Sequence, residues 1–226
     1  MSNISNFSIT TDVLNIGLRG NYFVLDGVQN KANHPDFEVL KSEILETVLA
    51  DLSPDKIKSD PILEGFRQLH TAVGRSNKRF VASPENLLNF LLQTKRLPQV
   101  NLLVDIYNLV SIKSKLALGA HDTAKIVGDI TLRMTNGTEG FTPLGATESQ
   151  NVGAGEYGYI DAANDVICRL EVRQVEKTKV TLDSTACFYI VQGNVNTDQT
   201  YINTVADELI ELTSRFCGGT VKRLYP

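Results

Sequence analysis

The chain has 226 residues, 42% of them hydrophobic and 21% charged, the profile of a globular protein able to build one sizeable core or two small ones sharing an interface. Its 22 lysines and arginines against 26 aspartates and glutamates, a net charge of -4, exclude a general nucleic-acid binder and leave only a local basic patch for such a role. The richest apolar run, LLNFLL at 87–92, is interrupted by Asn89 and falls well short of the roughly 18 apolar residues of a membrane helix, so no membrane partner is expected.

The N-terminal stretch MSNISNFSITTD has neither a basic start nor an apolar segment, which points to a cytoplasmic protein. Residues 13–18 and 22–28 are rich in β-formers and flank Arg19-Gly20-Asn21, so they are predicted to form a hairpin. A helix is predicted at 35–51, with Pro35 in its first turn, Asp36 and Glu38 on the positive end of its dipole, and Val39, Leu40, Ile44, Val48 and Leu49 near helical spacing. Ser59-Asp60-Pro61 opens another, with Ile62, Phe66, Leu69 and Val73 on one face and Gly74 past its end. Ser83-Pro84-Glu85 repeats the signature of a cap followed by proline, ahead of the stripe Leu87, Leu88, Leu91 and Leu92. Asn101 is placed to cap a largely buried helix running to about Ser114.

From 116 to 192 the pattern changes to short β-type runs, KLALGA, DITLRM, YGYI, VICRLEV and TACFYIV, separated by Gly, Asn, Asp and Thr. Asn136 to Gly158 lacks periodicity and is predicted to be loop with at most short strands. A last helix is expected from about Thr197 to Phe216, stopped by Gly218, with TVKRLY as a closing strand. Helices first, then a β-rich part, then one helix is an α+β order, with layered mixed sheets and helices.

Three cysteines, Cys168, Cys187 and Cys217, without a C-x-x-C pair argue against a disulfide framework or thiolate zinc, and His34, His70 and His121 are too scattered for a helical metal motif. Neither a metal nor an organic cofactor is expected, since the chain has no P-loop, dinucleotide fingerprint or nucleophile elbow. What remains is polar residues at element ends. Asp105 and Asn108 share a helix face and are either a site or a buried pair bonded to nearby backbone. His121-Asp122 follows LALGA, where a histidine acts as general base or caps the turn. Arg133, Glu139 and Asp161 are either ligand groups or loop-fixing charges. Residues 169–185 gather Arg169, Arg173, Lys177 and Lys179 with Thr178, Thr181, Ser184 and Thr185 around Glu176, either a grip on phosphate or ribose or a solvated hairpin. Further cations lie at Arg75, Lys78 and Arg79, at Lys95 and Arg96, and at Lys113 and Lys115.

In order, RFVASPENLLNFLL, LPQVNLLVDIYNLVS, LALGAHDTAKIVGDITLRMTNGTEGFTPLG, YIDAANDVICR and EKTKVTLDST, from about Arg79 to Val191, resemble the third and fourth domains of the phenylalanyl-tRNA synthetase beta subunit in their free-standing form. The resemblance implies a single tRNA-binding, editing-like domain over 1–226, with 79–191 carrying the match and 1–78 and 192–226 completing the fold. It implies a pocket in which Asn108 matches the asparagine of the helix motif and Glu176 the glutamate that recognises a mischarged side chain. The chain departs from the pattern in three places: the histidine is displaced by two positions in Gly119-Ala120-His121-Asp122, a threonine is replaced by Tyr107, and a glycine pair by Gln174-Val175. The implied activity is hydrolysis, in trans, of the ester of a misacylated aminoacyl-tRNA. Asn108, Glu176 and His121 would be catalytic, Thr178, Thr181, Arg133, Glu139 and Asp161 would bind substrate, and Arg79, Arg96, Arg173, Lys177 and Lys179 would bind RNA. The alternatives are a non-catalytic tRNA-binding module and a binder of amino-acid-like small molecules.

Overall fold

The computed structural model of the protein describes residues 4–225. The centre is a four-stranded antiparallel sheet in the order β3 (Ala117–Asp122), β8 (Ala186–Gly193), β2 (Arg19–Asp26), β9 (Thr220–Tyr225). Both faces are covered, so alternate residues enter different cores. From β2 and β8, Phe23, Leu25, Cys187, Tyr189 and Val191 face the helices, while Tyr22, Val24, Phe188 and Ile190 face a second sheet. Each fully buried aromatic here contributes roughly 1.5–3 kcal/mol of hydrophobic stabilisation.

The second sheet has the order β1 (Phe7–Ile9), β4 (Ile130–Met134), β5 (Tyr157–Asp161), β6 (Val166–Arg169), β7 (Arg173–Gln174), antiparallel except for the parallel pair β1 and β4. The helical layer holds α2 (Pro35–Asp51), α3 (Pro54–Ser59), α5 (Ser83–Thr94), α6 (Leu102–Ser114) and α7 (Gln199–Cys217), and α4 (Pro61–Ala72) reaches both cores through Leu63 on one side and Phe66 and Leu69 on the other. The α+β layering matches the sequence reading. Among the described residues no helix is long and apolar enough to cross a membrane.

Local signals explain most boundaries. Asp60 caps α4 by accepting from the Ile62 and Leu63 N–H groups at 2.9 and 3.2 Å, and Asn101 caps α6 by accepting from Val104 N–H at 3.2 Å. α6 is central: every residue except Asn108 and Lys113 is buried.

Three expectations fail locally. The predicted hairpin is instead α1 (Thr11–Asn15), closed by Gly17 at φ +91°, followed by β2, which runs straight through Arg19-Gly20-Asn21. Asp12 accepts from the Val13 N–H at 2.9 Å and holds that helical turn, while β2 finds its partners far along the chain in β8 and β9. Gly20 is needed for close approach and not for a turn, since a Cβ there would overlap the Tyr22 hydroxyl. Ser83 is the first residue of α5 and not its cap; Ala82 holds that position, which frees the Ser83 side chain. The run VICRLEV is not one strand, because Leu170 at φ 53° turns the chain between β6 and β7. The short α3, begun by Ser53 and Pro54, is an element that the sequence reading lacked.

Candidate functional site

A cavity of about 360 Å³ opens where the start of α5, the middle of α6, the first half of β3 and the β6–β7 turn converge above β5 and β8. Its floor is set by Leu118, Tyr159, Cys168 and Ile190, and Leu144 hangs at its edge. Asn108 and Ser83 bring side chains that bond no other described residue, and Arg173 brings a guanidinium with no carboxylate partner among them. The Tyr107 hydroxyl bonds the Gln174 side chain, which packs so closely over Gly119 that a Cβ there would sit 3.0 Å from Gln174 Nε2.

The inner wall is a fixed polar chain. Glu171, only 5% exposed, receives His70 on Oε1, and on Oε2 it receives the Tyr157 hydroxyl and Gln192 Nε2, the latter at 3.0 Å. The Tyr159 hydroxyl then donates to Gln192 Oε1 at 2.6 Å and lies 3.2 Å from the Tyr22 hydroxyl. Burial raises the pKa values of Tyr22, Tyr157 and Tyr159, so these phenols stay protonated. Cys168 is raised by burial and by the Glu171 charge, which keeps its thiol protonated and unreactive. Burial alone would lower His70, but the hydrogen bond and charge of Glu171 outweigh it and raise its pKa.

A larger concavity, about 480 Å³, lies between α2, α3, α4 and the end of α6. Its lysines are already spent: Lys56 on Asp51, Lys113 on Glu208 at 2.6 Å, and Lys115 on Asp60. The smaller cavity, with unspent polar groups, is therefore the better site for chemistry.

The profile of the B3/4 domain matches residues 66–218. The chain belongs to the B3/4 domain family. Its fold is similar to that of an N-terminal fragment of the phenylalanyl-tRNA synthetase beta subunit from Pyrococcus horikoshii, with a TM-score of 0.53 and 14% identity over 98% of this chain and 51% of that one. The chain thus spans about half the length of that fragment. No curated protein matches it in sequence.

Of the residues singled out in this B3/4 chain, Asn108 and Arg173 line the cavity. The others lie elsewhere. Glu176 is bound by Lys179 and accepts from Gly145 N–H at 2.9 Å, and both interactions lower its pKa. His121 is 1% exposed, with Nδ1 2.9 Å from the Thr178 hydroxyl, and burial lowers its pKa to about 3, so it is neutral. Its Nε2 has no partner among the described residues. The Thr181 N–H donates to the Ser184 hydroxyl oxygen at 3.0 Å, away from the cavity. Arg133 donates to Glu139 at 2.6 Å and to Asn164 at 2.7 Å, and Asp161 meets Lys177 at 3.4 Å, so these charges fix loops of the second sheet. Lys177 is also held by Asp165 at 2.7 Å. Arg79 and Arg96 are exposed at opposite ends of α5, a helix of 12 residues and hence about 18 Å, and do not form one patch.

Sequence reasoning missed Glu171 and His70. Read as a single strand, VICRLEV puts Glu171 on the same face as Arg169 and Arg173, toward solvent. The turn at Leu170 breaks that alternation and carries the carboxylate inward. The usable signal was a lone acid in an apolar β-run, opposed by a lone histidine in the apolar stripe of α4.

Proposed function

We propose that this chain binds the aminoacylated 3′ end of a tRNA in the cavity between α5, α6 and β7 and hydrolyses the ester in trans. The observation that carries the reading is a set of groups in one cavity that are unspent among the described residues: the Asn108 amide, the Ser83 hydroxyl and the Arg173 guanidinium. An ester is already activated, so a positioned water and a polarised carbonyl suffice without a protein nucleophile. Asn108 donates to the carbonyl oxygen, and Arg173 meets a phosphate of the terminal nucleotides. Glu176 acts at one remove, holding the backbone at Gly145 so that the adjacent Leu144 stays at the cavity edge. The family membership and the fold shared with a tRNA synthetase fragment support tRNA as the ligand.

The test is a panel of labelled aminoacyl-tRNAs, correctly charged and mischarged, at physiological salt. Selective loss of label is expected, reduced about 100-fold in Asn108→Ala with the unfolding midpoint unchanged, by analogy with removal of one oxyanion donor. Unchanged turnover in that variant removes Asn108 from the mechanism. RNA binding without cleavage by the native protein assigns it instead to the non-catalytic binders.

A further inference from the structure

The cavity contains few groups able to move a proton. The Cys168 thiol and the Tyr107 and Tyr159 hydroxyls are held protonated by burial, and a guanidinium such as Arg173 stays charged throughout the working pH range. Among the described residues of the lining, Glu171 is the remaining titratable group. Its Oε2 is filled by Tyr157 and Gln192, but Oε1 receives His70 alone, and a carboxylate oxygen accepts two hydrogen bonds. A carboxylate locked by three partners in a cavity wall, with one acceptor position unspent, is preorganised to hold a water.

Building on the ester hydrolysis proposed above, we propose that Glu171 is the general base of the cavity and that His70 is the positioning residue that holds its Oε1. The oxygen of a water bonded to Oε1 attacks the ester carbonyl carbon while one of its protons passes to Glu171. Collapse of the tetrahedral intermediate breaks the bond from that carbon to the ribose oxygen, and Glu171 returns the proton to that oxygen. The products are the free amino acid and the 3′ or 2′ hydroxyl of the tRNA, with no further reactant needed.

The groups facing Glu171 are His70 from α4, Tyr157 and Tyr159 from β5, Cys168 from β6, Arg173 from β7 and the neutral Gln192 from β8. While His70 is protonated, its N–H and its charge occupy Oε1 and oppose uptake of a proton from the water; once His70 is neutral, that opposition is gone. Because the pKa of His70 is raised above the ordinary 6.5, the enzymatic rate rises with pH through an inflection above that value.

The experiment is single-turnover hydrolysis from pH 5 to 9, corrected for uncatalysed ester loss, for the native protein, Glu171→Gln and His70→Gln, alongside RNA affinity and thermal unfolding. Glu171→Gln is expected to lose about 100-fold in rate with RNA affinity kept. His70→Gln is expected to keep RNA affinity and lose the inflection, leaving a flat profile. The His70 imidazole ¹⁵N shifts of the native protein should titrate at the kinetic inflection, a readout that stands even if a variant fails to fold. An active Glu171→Gln with the native profile, or a His70 titration away from the inflection, overturns the assignment while leaving the hydrolase reading intact. A native protein inactive on every aminoacyl-tRNA overturns both.

Discussion

Glu171 and Glu176 belong to one short segment, yet they sit in opposite physical situations. Glu171 lies in the cavity wall among His70, Tyr157 and Gln192, whereas Glu176 lies outside the cavity lining, bound to the flexible ammonium of Lys179 and the Gly145 N–H. The two buried histidines repeat the contrast. His70 and His121 are both 1% exposed, but a carboxylate partner raises the first and a hydroxyl partner leaves the second to be lowered by burial. Burial alone therefore does not decide what a titratable group does; the partner enclosed with it does.

The sharpest way to break this contrast is to remove each carboxylate. Glu171→Leu leaves three buried donors without an acceptor and is expected to cost about 3–5 kcal/mol in chemical denaturation. Glu176→Leu is expected to leave the denaturation midpoint unchanged, because its carboxylate is solvated. Equal midpoints for the two variants would show that the inner wall is no more structural than the contacts of Glu176 outside it.

Next in size is the pH dependence of stability. His121 titrates near 3 when folded and near 6.5 when unfolded, so the unfolded chain binds the proton more tightly. Stability then falls as pH drops from 6.5 toward 3, on the order of 4 kcal/mol in all, and His121→Gln should remove that slope. His70 has the opposite sign: its raised folded pKa contributes stability that is complete below 6.5 and is lost as pH rises through the folded value. His70→Gln should remove that loss on the alkaline side. Denaturation midpoints measured across pH 4 to 9 check both, and slopes of the same sign in the two variants would defeat the contrast.

The smallest effect separates free from spent cations. Arg173→Ala is expected to weaken RNA binding and to lower the slope of log affinity against log salt by about one. Lys177→Ala should change neither, since its ammonium is held by Asp161 and Asp165. A salt titration of RNA binding distinguishes them.

The helices were legible because their signals are local. Pro35 with Asp36 and Glu38, Asp60 before Pro61, and Asn101 before an apolar run each act within one turn, and each begins the helix it was expected to begin. Asn108 and Arg173 were also legible as candidates, since one is a half-buried amide on an otherwise apolar helix and the other a cation in a β-segment. The first 18 residues were misread because the strand propensity of VLNIGL is weaker than the turn held by Asp12, and because β2 pairs with β8 at separations of 160 residues or more.

By itself the sequence determined the α+β class, the starts of α2, α4 and α6, the family and two members of the cavity. Those follow from periodicity, capping and motif order, which are properties of neighbouring residues. Tertiary structure alone decided which acid faces the cavity, which histidine keeps a proton and which cations are free. These depend on the partners that packing brings together. The left-handed turn at Leu170 aims Glu171 at a histidine from α4, on the far side of the chain order, and no local pattern encodes that meeting.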